Sequence, residues 1–261
     1  MQGINFQIEF PLDDGRVLVH SADGNRFVRA PYTYIGDGFA THHNPACLVE
    51  PRFRKAYDRG IHSGHKIGGG GDLHIEWRVH LYCWAGWHAK QLEGDFVECG
   101  VNTGIFSLAI MEYTEFNETG KNFWLFDTFN GIPDDQFTEA ERQIGLDQVH
   151  ADSYEDCWEI AQKNFAPYPG ARLVRGRVPE SLHTVEIEKV AYLGIDMNSV
   201  VPEIAAAEHF WPKMVSGGII MLDDYCWLHH VNQKTAFDKF AAERGVKILN
   251  LPTGQGVILK P

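Results

Sequence analysis

GDFVECGVNTG, residues 94–104, decides how the rest of the chain is read. A short apolar run from Asp95 to Cys99 stops at a loop with glycines at 100 and 104, and helical spacing begins directly afterwards. That is a strand running into a helix through a tight turn. The rhythm continues downstream: the pattern predicts strands near 95–99, 122–126, 171–175, 189–195 and 217–222, with helices near 104–116, 153–165, 200–214 and 231–244 between them. Such alternation specifies an α/β fold with a Rossmann-like, doubly wound, mostly parallel sheet. After the last helix come VKILNL (246–251), a Pro-Thr-Gly-Gln-Gly turn and VILK (257–260). Two strands joined so tightly must be antiparallel, so the sheet should end in a C-terminal antiparallel hairpin.

Upstream the pattern changes. Ile4, Phe6, Ile8 and Phe10 alternate, Pro11 to Gly15 supply a turn, and Val17 and Val19 resume, which predicts an N-terminal β-hairpin with a second turn at Asp23-Gly24-Asn25. A helix is expected from Ala46 to Arg59, closed by Gly60, followed by a mobile glycine run, Gly68 to Gly71. Asp72 is placed to N-cap a helix reaching Lys90, in which Leu73, Trp77, Leu81, Trp84 and Trp87 or His88 recur at three and four. Two regions are expected: a hairpin and helical cap over 1–92 and a cofactor-binding core over 93–261. Trp77, Trp84 and Trp87 read chiefly as core, with lining of an acceptor pocket as the functional alternative.

At 261 residues the chain can bury a full core. Its formal charge of -12, from 35 acidic against 23 basic residues and no block of Lys or Arg, argues against nucleic acid or an anionic membrane as partner and for a small molecule. The five cysteines (Cys47, Cys83, Cys99, Cys157, Cys226) are widely spaced with no CxxC pair, which fits reduced thiols in a cytoplasmic protein. MQGINFQIEF has no basic start or long apolar stretch, so neither a signal peptide nor a membrane span is expected.

Two further apolar runs end in acid: VAYLGID at Asp196 and GGIIMLDDY at Asp223 and Asp224. Both read as buried parallel strands, so the three carboxylates should emerge at one sheet edge. Each pair a few Å apart would repel by roughly 3 to 4 kcal/mol at an effective dielectric of about 20. A divalent cation relieves that cost, and all-oxygen ligation favours Mg²⁺ or Ca²⁺ over zinc. The plainer reading of each aspartate is a turn or helix cap. In an open α/β sheet ligands bind beyond the carboxyl ends of the strands, so these acids should sit beside the Glu98–Gly104 loop. That loop is not the dinucleotide fingerprint, which requires GxGxxG; here the glycines are four apart and Glu98 precedes them. Asp127, ending the next strand, suits two ribose hydroxyls. Arg175-Gly176-Arg177, after the third core strand, would lie near an adenine.

With GDFVECGVNTG (94–104), FDTFNGIP (126–133), RGRVPESL (175–182), IDMN (195–198) and SGGIIMLDDY (216–225) in this order, the sequence resembles the macrocin-type O-methyltransferases of antibiotic sugars, within the class I S-adenosylmethionine methyltransferases. The resemblance spans roughly residues 72 to 250. It implies S-adenosyl-L-methionine held by Glu98 and Asp127, with Gly100, Asn102, Thr103, Gly104, Ser107, Thr128, Gly176 and Arg177 completing the cofactor side. It implies Mg²⁺ or a similar cation on Asp196, Asp223 and Asp224, holding two oxygens of the acceptor. The expected enzyme acts on a small hydroxylated acceptor, a sugar or glycoside with adjacent oxygens, as a homo-oligomer in the cytoplasm. No DPPY or NPPY follows the fourth core strand, which disfavours a nucleic-acid base as acceptor.

The sequence departs from that family where DxDxY is common: it has Asp196-Met197-Asn198-Ser199-Val200. Asn198 cannot take a proton and the tyrosine is missing. Asp196, if not fully committed to metal, and His229 or His230 in WLHHVNQK (227–234) are the candidate bases, with His230 ranked first among the histidines; the ordinary reading of either histidine is a surface or capping residue. Two other classes remain open: a cofactor-binding scaffold of the same fold without turnover, and a non-haem iron oxygenase using His74-Ile75-Glu76 or His150-Ala151-Asp152. The oxygenase is disfavoured, since positions 74 and 76 are expected on a helix, where i and i+2 diverge.

Overall fold

The computed structural model describes residues 8–11, 16–20, 26–29, 32–151 and 154–261. Strands β1 (Ile8–Pro11), β2 (Val17–His20) and β3 (Arg26–Arg29) form an antiparallel meander in the order β1-β2-β3. The expected hairpin is therefore one part of a three-stranded sheet; the turn expected at Asp23-Gly24-Asn25 and the residues Ile4 and Phe6 lie outside the described residues. A second small hairpin pairs β4 (Tyr34–Gly36) with β5 (Phe39–Thr41).

Helices α1 (Pro51–Ile61) and α2 (Glu76–Ala89) follow. Gly60 lies inside α1 and does not end it; a Cβ there would come 2.2 Å from the carbonyl oxygen of Ile105, so glycine is needed for the close approach of a neighbouring helix. Asp72 does not cap α2. Its carboxylate accepts from the Tyr57 hydroxyl at 2.5 Å and from the His74 amide at 2.8 Å, and the helix starts four residues later.

The large sheet comprises β6 (Asp95–Cys99), β7 (Phe123–Asp127), β8 (Ala171–Arg175), β9 (Val190–Ile195), β10 (Met214–Leu222), β11 (Leu249–Asn250) and β12 (Gly256–Leu259), in the order β11-β12-β10-β9-β6-β7-β8. The five central strands run parallel, while β12 pairs antiparallel with both β10 and β11. Helix α3 (Ile105–Thr114) follows β6; α4 (Glu139–Gln143), α5 (Leu146–Ala151) and α6 (Trp158–Phe165) fill the span between β7 and β8; α7 (Val200–Phe210) precedes β10 and α8 (Val231–Glu243) follows it. Helical crossovers between parallel strands bury both sheet faces, and Val190–Ile195 is buried at every position. The helix expected from 153 starts only at Trp158, because the Cys157 amide is drawn to the carbonyl of Phe129 at 3.0 Å. That expected to reach 214 stops at Phe210 and passes through a short 3-10 turn containing Pro212.

Phe53, Tyr57, Val79, Tyr82 and Cys83 from α1 and α2 share one buried cluster with Phe96, Leu108, Ile110 and Met221. The helices of the 1–92 segment thus pack directly on the sheet. Trp84 and Trp87 remain 48% and 40% exposed: Trp77 and Trp84 border a shallow apolar groove with Leu249 and Leu259, and Trp87 lies under Lys90. None of the three faces the main cavity. All five cysteines are free, and no helix among the described residues is long and apolar enough to cross a membrane.

Candidate active site

The carboxyl ends of β6, β7, β9 and β10 open into a cavity of about 700 Å³. Strand order reverses between β6 and β9, and an open sheet of this type forms its crevice there. Of the expected residues, Glu98, Gly100, Asn102, Asp127, Thr128, Gly176, Asp196, Asp223, Asp224 and His230 line this cavity.

Thr103, Gly104, Ser107 and Arg177 do not. The Thr103 hydroxyl is held by that of Ser63 at 2.8 Å, and a Cβ on Gly104 would come 2.5 Å from the Phe165 ring, so these two positions serve packing beneath the loop. Ser107 is fully buried, and Arg177 points outward to Asp135 at 2.9 Å. Gly100 also has a packing reason: its φ is +89° and a Cβ would come 1.8 Å from the Asp196 carbonyl oxygen.

Asp127 organises the glycine loop. Its Oδ2 accepts from the Val101 amide at 2.6 Å and the Asn102 amide at 2.7 Å, and its Oδ1 from the Phe129 amide at 2.6 Å. Those amides anchor the loop on the second strand and are not left for a ligand, although each carboxylate oxygen retains lone-pair capacity. Glu98 contrasts with it: burial pushes its carboxyl up to about 8, and Oε2 has no hydrogen-bond partner among the described residues. Ser107 beneath it acts in the opposite direction through a side-chain hydrogen bond, and an acid with one unpaired oxygen on the cavity wall is a place for a cationic or hydroxylated group of a ligand.

Asp196, Asp223 and Asp224 place carboxylate oxygens within 4.8 Å of one another. Burial raises all three, Asp223 and Asp224 to about 6 and Asp196 well above its ordinary value with the two neighbouring charges adding to the effect. Asp224 Oδ2 is buried without a hydrogen-bond partner among the described residues. This all-oxygen set fits a hard divalent cation. Asp223 already has a cationic partner, which sequence reasoning missed: Arg78 of α2, only 5% exposed, donates from Nη1 to Asp223 Oδ2 at 2.5 Å. The same guanidinium grips Asp37, in the β4–β5 turn, through Nε at 2.9 Å and Nη2 at 3.0 Å, and reaches the Thr253 carbonyl at 3.2 Å. Tyr82 and Gln255 donate to the other oxygen of Asp223 at 3.2 and 3.3 Å. A lone arginine within an otherwise apolar stretch of α2 was the available signal.

Asn198, with φ of +57°, donates its amide to Asp196 Oδ1 at 3.2 Å and also lies 3.3 Å from the Tyr154 hydroxyl. A tyrosine thus stands near Asn198, the third position of the DMN segment, supplied by the chain before α6. His230, at the N-terminus of α8, has Nδ1 2.6 Å from the Gln233 amide nitrogen and 3.9 Å from Asp224 Oδ2. His229 and Trp227 complete that wall, with Trp227 lying over Arg78 at 5.2 Å.

A sequence model of the family described as Macrocin-O-methyltransferase (TylF) matches residues 81–250, well over half of the chain. The chain belongs to the macrocin O-methyltransferase family. It is 28% identical over 145 residues to mycinamicin III 3''-O-methyltransferase of Micromonospora griseorubida, a match covering 51% of this chain and 56% of that enzyme. It is 28% identical over 148 residues to demethyldecarbamoylnovobiocin O-methyltransferase of Streptomyces niveus, covering 52% and 54%. The chain therefore spans little more than half the length of these curated relatives. Among solved structures, the O-methyltransferase NovP superposes with a TM-score of 0.67 at 17% identity, over 80% of this chain and 97% of NovP. The calicheamicin methyltransferase CalS11 gives 0.53 at 14% identity, over 84% and 94%. At such identities these two likenesses bear on the fold, which is that of a class I methyltransferase.

Of the pair His150–Asp152, only His150 is described. His74 precedes α2 with φ of +52°, so the helical argument against it does not apply; Asp72, His74 and Glu76 do come within 4.8 Å of each other and do not line the cavity, although Leu73 and Ile75 between them do.

Proposed function

We propose that the protein is an S-adenosylmethionine-dependent O-methyltransferase that uses a divalent cation such as Mg²⁺ and methylates a hydroxyl of a small acceptor, a sugar or glycoside with adjacent oxygens. One observation carries this reading: the glycine-loop end and the aspartate cluster face the same cavity of about 700 Å³, within the size range of ligand pockets and suited to a nucleoside beside a sugar. Family membership and the O-methyltransferase names of its relatives support it.

Glu98 would receive the amino acid part of the donor and Asp127, through the loop it fixes, would set the nucleoside's position. When bound, a divalent cation on Asp196, Asp223 and Asp224 would supply Lewis acidity to the acceptor's oxygens. Methyl transfer requires the acceptor oxygen in line with the sulfonium methyl, so holding both substrates in one enclosed space supplies much of the rate. Ile132 and Leu146 give that wall an apolar lining, and water held off the reacting atoms would favour the transfer.

Calorimetric titration of S-adenosylhomocysteine with and without Mg²⁺ tests the reading. Binding of the nucleoside is expected with the wild type and weakened by Asp127→Ala, while Asp223→Ala should abolish Mg²⁺ binding first. A wild-type protein that does not bind S-adenosylhomocysteine sinks the proposal.

A further inference from the structure

When ionised, the three aspartates of the cluster carry negative charge to a place where one positive charge already stands. Arg78 lines the cavity and donates from Nη1 to Asp223 Oδ2 at 2.5 Å, while Tyr82 and Gln255 donate to Oδ1. An ionised carboxylate offers about four acceptor positions, so these donors leave roughly one for a cation. A guanidinium in contact with the cluster also repels a dication held there. Taken alone, Arg78 orients Asp223 and opposes what Asp223 would bind.

The group that offsets it comes from the β4–β5 hairpin. Gly36 pairs with Phe39, which leaves Asp37 and Gly38 as a two-residue turn, and their φ values are +50° and +70°. A type I′ turn demands positive φ at both central positions, and Asp-Gly is a favoured pair there. The hairpin is docked on the start of α2: the Tyr34 hydroxyl donates to the His74 carbonyl at 3.2 Å, and the Phe39 and Trp77 rings meet edge to face at 6.0 Å. Its tip thereby carries Asp37 to Arg78. The carboxylate takes the guanidinium as a fork, Oδ2 from Nε at 2.9 Å and Oδ1 from Nη2 at 3.0 Å, with both side chains 6% exposed. Such bidentate pairs fix the guanidinium plane as well as balance its charge. Nη2 also reaches the Thr253 carbonyl, which leaves Nη1 to meet Asp223. Asp37 itself does not line the cavity; it stands behind Arg78. Residues 37, 78, 253 and 255 all lie outside the stretch 81–250 that matches the family model.

We propose that Asp37 is a positioning residue of the cation site: its fork on Arg78 sets the direction in which Arg78 meets Asp223 and cancels the positive charge that would otherwise weaken cation binding. The inference rests on the methyltransferase reading above and on the cation within it. With Asp37 ionised, the Asp37–Arg78 pair adds no net charge to the three aspartates. With a neutral residue at 37, the same site carries one positive charge more. Cation affinity should follow that charge, whereas the nucleoside end of the cavity, at Glu98 and Asp127, should not.

The test measures Mg²⁺ and S-adenosylhomocysteine binding to the full chain by calorimetry, with Mn²⁺ binding followed by electron paramagnetic resonance. Asp37→Asn should weaken Mg²⁺ and Mn²⁺ at least about tenfold, the scale of losing a partner behind a metal ligand, and leave S-adenosylhomocysteine within about threefold. Asp37→Glu keeps the charge and should recover most of the loss. The double variant Asp37→Asn with Arg78→Gln removes both charges together and should bind Mg²⁺ more tightly than Asp37→Asn alone; a residue that only props the fold would make the second substitution add to the damage. A smaller loss in Asp37→Asn, an equal loss in Asp37→Glu, or a further loss in the double variant would overturn the assignment. Loss of S-adenosylhomocysteine binding by Asp37→Asn would also overturn it, since the residue would then serve the whole fold. A wild type that does not bind S-adenosylhomocysteine instead overturns the methyltransferase reading, and one that binds it but neither Mg²⁺ nor Mn²⁺ overturns the cation in that reading and this proposal with it. The failures are therefore distinct.

Discussion

Arg78 Nη1 lies 2.5 Å from Asp223 Oδ2, and both residues are about 5% exposed. The guanidinium compensates the aspartate cluster from within the chain, and through Asp37 it fastens the β4–β5 turn to the same point. Removing one member of a buried pair leaves an uncompensated charge at a cost of about 3–5 kcal/mol. Arg78→Met should lose stability of that order in urea unfolding without metal, and Mg²⁺ should restore more stability to the variant than to the wild type. Equal Mg²⁺ effects on both would show that Arg78 and the cation do not share one electrostatic role.

Glu98 supplies a protonation test. Its carboxyl is pushed up to about 8 by burial, so the folded protein binds more protons there than the unfolded chain between about pH 4.5 and 8. Its contribution to stability is complete below the lower value and lost as pH rises through the upper one. A bound ammonium should reverse this and drive ionisation. Calorimetry at pH 7 in buffers of different ionisation enthalpy should therefore register proton release on S-adenosylhomocysteine binding, and Glu98→Gln should abolish that release.

His230 and His150 are both held near 4, chiefly by burial. Their neutral forms fit the fold, so the unfolded chain takes up protons first. Stability from these groups is present above about 6.5 and declines as pH falls towards 4. Melting temperature is expected to drop across that window, and His230→Gln with His150→Gln should flatten the drop.

Gly100 tests the loop. A methyl there collides with the Asp196 carbonyl at 1.8 Å from a backbone with φ of +89°. Gly100→Ala is expected to cost about 3 kcal/mol, the upper end for overpacking, and to reduce both nucleoside and Mg²⁺ binding, because the collision links the two halves of the site. Unchanged thermal unfolding would show that the loop relocates freely.

The sheet was legible because buried parallel strands are written as short apolar runs, and Glu98, Asp127, Asp196, Asp223 and Asp224 fell at their ends, where the crevice forms. The packing beneath the loop was not: Thr103, Gly104 and Ser107 share the loop's local pattern, but Ser63 and Phe165, which explain two of them, come from distant segments. Arg78 was hidden among tryptophans in α2, since its partners at 37, 223 and 253 have no sequence relation to it. The HxD pattern at His150 matched an iron-site spacing that the sequence reading disfavoured, and its acid, Asp152, lies outside the described residues.

The turn between β11 and β12 brings Thr253 to Arg78 and Gln255 to Asp223. Residues 37, 78, 223, 253 and 255 must therefore meet before the acidic cluster is balanced, across sequence separations as long as 175 residues. Contacts of such range form late, after their loop-closure entropy has been overcome. In refolding, the sheet centred on β6 and β9 should gather first, and quenching or recovery of Trp227 fluorescence over Arg78 should mark the slower moment at which the protein becomes able to bind its ligands.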